Sequence, residues 1–180
     1  MHPIRKCFLW ALVMTLFMVT SSASNDRAII EENQAKALLT YNIAKFTVWP
    51  PESAPSDAPF TFSLSENEAM AKAFQVIEGQ QVNGRTVKVS RDIKERLFVD
   101  SEVLIISKHQ LQAFVIAKDE LYHSPILTVT ADPEIFDAGA MVLIEVVNDR
   151  LSFSVNLGRV KASGLEISGN LLRHAQEVKF

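Results

Sequence analysis

Cysteine is nearly absent from this 180-residue chain: Cys7 stands alone, so no intramolecular disulfide can form. Concentrated positive charge is also missing. With 18 Lys and Arg against 21 Asp and Glu, the net charge is −3, and a nucleic-acid binder would show a basic face instead. Long apolar runs are confined to the first 20 residues, so nothing after them reads as a membrane span. The usual catalytic patterns are lacking as well. There is no G-x-S-x-G elbow, no H-E-x-x-H helix and no Gly-rich phosphate loop. The sequence gives no ground for an enzyme or a cofactor.

What is present begins with a targeting signal. Arg5 and Lys6 precede the apolar run Cys7–Thr20, and Ser21-Ser22-Ala23 supplies small residues for cleavage. Residues 1–23 are therefore expected to be a secretory signal peptide, and 24–180 a single exported domain. Cleavage removes 23 of 180 residues and leaves 157, enough to bury about 70% of the unfolded surface. It removes two cations and the cysteine, leaving 16 Lys and Arg against 21 acids, a net charge of −5. The alternative is an uncleaved anchor.

The hydrophobic pattern predicts a helix over 27–46, with Ala35, Leu38, Leu39, Asn42, Ile43 and Phe46 on one stripe. Asn42 within that stripe is expected to be a buried amide bonded to backbone, the alternative being a ligand contact. Trp49-Pro50-Pro51 ends the element. Strands are expected at 60–64, 86–90, 103–106, 126–130, 140–147 and 151–155. Between them lie helices opened by Ser65 with Glu68 and by Ser107 with Gln110, both capping-box spacings. Leu111, Phe114, Val115 and Leu121 should share one face of the second. Asn148-Asp149 fits a tight hairpin turn. The tail from 157 to 178 reads as partly helical, interrupted near Gly164 and Gly169. Strands alternating with helices predict an α/β layered sandwich: a mixed, mostly parallel sheet, helices on both faces and a C-terminal antiparallel hairpin.

Candidate functional residues are few. Phe46 and Trp49, before the proline-rich loop, are either core anchors or a partner-binding patch, since aromatics are enriched at hot spots. Arg159, Lys161 and Arg173 are either solvated cations or an anion pocket. Glu120 and His123 have a helical spacing that could bring two metal ligands together, but no further ligands accompany them, so no metal site is assigned.

The segment Lys36-Ala37-Leu38-Leu39-Thr40-Tyr41-Asn42-Ile43-Ala44-Lys45-Phe46-Thr47-Val48-Trp49-Pro50 resembles the opening helix of the YfiR family, K-A-x-x-x-x-N-x-A-K-F-x-x-W-P. Gly139-Ala140-Met141, Leu151–Leu157 and Gly164-Leu165-Glu166-Ile167-Ser168 are similar to its later landmarks. Ala138, Ser152 and Gly169 depart from the family pattern. The resemblance implies a periplasmic repressor that binds the periplasmic domain of a membrane diguanylate cyclase or sensor kinase. Such binding would lower cyclic-di-GMP and biofilm formation. It implies no catalysis, and the disulfide control found in some members should be absent. A homodimer stays open as a further assembly. The main alternative is a periplasmic small-anion binding protein; an unrecognised hydrolase is the weaker one.

Overall fold

A computed structural model describes residues 27–51, 53, 57–64, 68–91 and 101–180. The expected signal peptide and Ser65 of the first capping box lie outside these residues.

Helix α1 (27–45) runs into the two-residue strand β1 (Thr47–Val48). The main sheet then assembles from β2 (Phe60–Leu64), β3 (Gln81–Val82), β4 (Arg85–Ser90), β5 (Val103–Ile106), β6 (Leu127–Thr130), β7 (Val142–Val147), β8 (Arg150–Asn156) and β10 (Glu177–Lys179). Its spatial order is β10-β8-β7-β6-β5-β2-β4-β3. The pairs β7–β8 and β3–β4 are antiparallel, and the other pairs in the sheet are parallel. The strand β9 (Glu166–Ile167) instead pairs antiparallel with β1 as a separate small ribbon. The helices are α2 (Glu68–Phe74), α3 (Leu111–Leu121), α4 (Pro133–Asp137), α5 (Leu157–Ala162) and α6 (Gly169–Leu172).

The direction of the crossovers places the helices. From β2 through α2 the chain moves one way along the sheet to β4. From β5 through α3 to β6, and through α4 to β7, it moves the other way. Right-handed crossovers in opposite directions put their helices on opposite faces. The packing agrees: Val103 and Ile105 of β5 join a core with Ala37, Ile43, Phe74 and Val160, while Leu104 and Ile106 join one with Phe114, Leu121 and Ile135. Two faces covered explain why β5 is apolar at every position.

Both hairpins close on two-residue turns with positive φ. Asn148 and Asp149 have φ of 50° and 60°, and Asn83 and Gly84 have 52° and 81°. These are the backbone angles that match strand twist. Ser107 and Gln110 form the expected cap, Ser107 N–H donating to Gln110 Oε1 at 3.0 Å. Asp132 caps α4 by accepting from the N–H groups of Glu134 and Ile135.

Three expectations need correction. The phase of α1 differs from the predicted stripe: Ala37, Thr40, Ile43 and Ala44 are buried, whereas Ala35, Leu38, Asn42 and Phe46 face outward. Small residues let the helix lie close on the sheet, so the large side chains are left on its far side. Asn42 is thus an exposed amide. On α3 the buried set is Phe114, Ala117 and Leu121, and Val115 is exposed. In the tail, Gly169 opens α6 and does not interrupt a helix, with Ser168 Oγ accepting from Leu171 N–H.

Candidate functional site

The outward face of α1 carries Leu38 at 44% exposure and Phe46 at 49%, with Ile30 two turns before Leu38. The chain leaves the helix through Thr47, whose buried hydroxyl donates to the Ile43 carbonyl at 2.9 Å. That bond turns the next residue, Val48, outward at 59% exposure. The position is fixed from a second side. Thr47 pairs with Ile167 and Val48 with Glu166, and Ser168 N–H donates to the Phe46 carbonyl at 3.0 Å. Leu38, Phe46 and Val48 therefore form an apolar strip held on a helix and a ribbon.

Trp49 turns the other way. It is half-buried against the main core, its ring edge-on to Phe60 at 5.0 Å and 88°. Phe60, Phe62 and Phe74 continue the aromatic contacts inward, at 5.5 Å and 6.4 Å. The structure thus separates two residues that the sequence grouped together: Phe46 is on the surface and Trp49 anchors the strip to the core. The indole Nε1 is buried without a hydrogen-bond partner among the described residues.

The three late cations have separate surroundings. The Arg159 guanidinium lies 3.9 Å from the centre of the Tyr122 ring. Lys161 lines a shallow groove with Glu166 and Leu172, to which neither Arg159 nor Arg173 contributes. Arg173, beyond the β9 strand, bonds the Asn170 side chain of its own helix end. Burial pushes the Tyr122 phenol above its ordinary pKa; the nearby Arg159 charge opposes that shift and Asp119 adds to it. Gly139, at φ of 120°, lies so close to the Tyr122 hydroxyl that a Cβ there would collide with it. His123 is occupied by its own helix, its Nδ1 lying 2.7 Å from the Asp119 carbonyl. Among the described residues no three His, Cys, Asp or Glu side chains are grouped to hold a metal. Among them, too, no helix is long and apolar enough to cross a membrane.

A cavity of about 170 Å³ opens at the carboxyl ends of the central strands. Leu64 of β2, Ile106 of β5 and Thr130 of β6 border it, and Lys36 and Thr40 border it from the inner side of α1. Its lining comes from segments spread over a hundred residues, so no local sequence pattern marks it. The outward strip on α1 does have a signal in the sequence, large apolar residues at helical spacing; that spacing reads Leu38 as core and leaves Phe46 as either a core anchor or a partner contact.

No curated protein matches this chain. Among solved structures, a conserved domain protein from Vibrio cholerae O1 biovar El Tor strain N16961 is similar at 10% identity. The match covers 66% of this chain and 54% of that one, with a TM-score of 0.47. This chain thus spans about half the length of that protein, and the likeness has no bearing on function. The profile of the YfiR/HmsC-like family matches residues 33–176, from within α1 to the residue before β10, and the chain belongs to that family.

Proposed function

We propose that this protein is a periplasmic repressor that binds the periplasmic domain of an inner-membrane diguanylate cyclase or related sensor. Residues 1–23 serve as its signal peptide and 24–180 as the regulatory domain. The observation that carries this reading is the apolar strip of Leu38, Phe46 and Val48, exposed on a rigidly held element. Exposed apolar groups with an aromatic anchor are the usual source of binding energy between proteins. Binding that prefers the inactive state of the sensor shifts its population toward that state, with no chemistry required. Cyclic-di-GMP synthesis and biofilm formation then fall.

The test is a pair of surface substitutions, Leu38→Asp with Phe46→Asp, in the chromosomal copy. The variant should accumulate normally, with its N-terminus at Ser24 by mass spectrometry, and cyclic-di-GMP should rise to the level of a gene deletion. Unchanged cyclic-di-GMP in the deletion strain would remove the cyclase as partner. A rise in the deletion without a rise in the double variant would move the interface elsewhere.

A further inference from the structure

The cavity beside α1 lies where the strand order reverses. From β2 the chain steps one way to β4, while β5, on the other side of β2, leads the other way to β6. In open α/β sheets the loops leaving two such strands diverge to opposite faces, and the crevice outside their carboxyl ends is where ligands bind. The cavity borders Leu64 at the end of β2 and Ile106 and Ser107 at the end of β5.

Its lining specifies a chemistry. Phe74, Val129 and Ile144 supply apolar walls. About 170 Å³ is close to the ~150 Å³ of an engineered apolar cavity that accepts benzene. Among the described residues, the charged ones at the cavity are Lys36, Lys108 and Asp132. Asp132 is committed to the protein: Oδ1 takes the two N–H groups that open α4, and Oδ2 lies 3.8 Å from Lys108 Nζ. Lys36 has only 16% of its side chain exposed and pairs with Glu32 at 2.6 Å. An ammonium has three donors, so one carboxylate partner leaves two for another acceptor. Thr40 and Thr130 donate their hydroxyls to the Lys36 and Ile106 carbonyls, and Thr130 Oγ1 accepts from Asp132 N–H, so neither hydroxyl offers a proton to an anion and Lys36 is left as its donor.

We infer that this crevice binds a small monocarboxylate carrying one ring-sized apolar body, the ring among Phe74, Val129 and Ile144 and the carboxylate on Lys36. The site is independent of the partner-binding strip, which lies on the opposite side of α1, and binding is measured on the purified protein alone.

Phenylacetate is the probe, with benzyl alcohol as its uncharged counterpart and inorganic phosphate as an anion without a ring. In calorimetric titration phenylacetate should bind one-to-one and at least tenfold more tightly than either. Lys36→Met keeps the apolar stem and removes the charge. It should weaken phenylacetate at least tenfold and leave benzyl alcohol unchanged, a pattern that general unfolding would not produce. Amide chemical shifts should move at Leu64, Ser107 and Thr130. The inference is overturned by an absence of saturable phenylacetate binding, by phosphate binding equally well, by Lys36→Met binding phenylacetate like the parent, or by shifts confined to another part of the molecule.

Discussion

Asn42 shows how a single side chain can mislead. Its neighbours Leu38 and Phe46 make it look enclosed, yet all three project from α1 into solvent. Asn42→Leu should therefore leave stability within about 0.5 kcal/mol of the parent, as for most surface changes. Ile43→Ala, one position on and fully buried, should cost about 2–5 kcal/mol. Urea unfolding of the two variants checks both values, and a reversed order would reverse the helix phase. Tyr122 offers a pH test. Its folded pKa is raised above the ordinary 10.0, chiefly by burial, so the phenol holds its proton longer in the folded than in the unfolded chain. That preference is without cost below about pH 10, where both states are protonated. Above it the unfolded state ionises first and stability falls as pH rises. Lys179, raised mainly by its hydrogen bond to Asp137, favours the folded state most below its ordinary 10.5 and loses that advantage as pH climbs past its folded value. Tyr122→Phe should thus flatten the alkaline decline without abolishing it. The variant also loses the 3.3 Å bond to the Ala138 carbonyl, which lowers the whole curve by about 1 kcal/mol but not its slope.

At the scale of elements, legibility followed periodicity. The strands β2 and β5 and the β7–β8 turn could be read directly, because a period of two, a short unbroken apolar run or an Asn-Asp pair each points to one local geometry. The strands β1, β3, β9 and β10 could not: two or three residues hold no period, and each exists because a tertiary neighbour completes it. Helix α1 was placed correctly and rotated wrongly. Hydrophobicity scales weight Leu and Phe above Ala and Thr, but close packing on a sheet selected Ala37, Thr40 and Ala44. That mismatch between apolar stripe and buried stripe points to an outside surface with its own use. Trp49 separates the two roles. Trp49→Ala should cost about 3 kcal/mol, the low end for deleting a large aromatic, because the ring is half-buried against Phe60. The variant should lose abundance, and any rise in cyclic-di-GMP should track that loss. The strip variant, in contrast, should keep a parental melting temperature.

For the whole molecule, the sheet must hold its parallel centre without an intramolecular disulfide, since Cys7 is the one cysteine, and one ion pair has a large share in this. Glu102, just before β5, and Arg85, at the start of β4, meet at 2.5 Å with side chains 9% and 13% exposed. Arg85 also donates to the Ala58 and Pro59 carbonyls ahead of β2. The other carboxylate oxygen of Glu102 accepts from Thr61 N–H at 2.7 Å, and its backbone bonds both Thr61 and Leu127. Four strands are thereby fixed at their amino ends, opposite the crevice at their carboxyl ends. A composition count registers this pair as two ordinary charges, since the partners are 17 residues apart and no motif joins them. Removing one partner leaves the other charge enclosed and unpaired, which costs far more than the pair contributes as a unit. Glu102→Ala should therefore destabilise by about 3–5 kcal/mol in urea unfolding. Glu102→Gln keeps one of the two oxygen acceptors, for Thr61 N–H or for Arg85, and should cost less than Glu102→Ala. If Glu102→Gln is as stable as the parent, the carboxylate is only a hydrogen-bond acceptor and its charge contributes nothing to holding the sheet together.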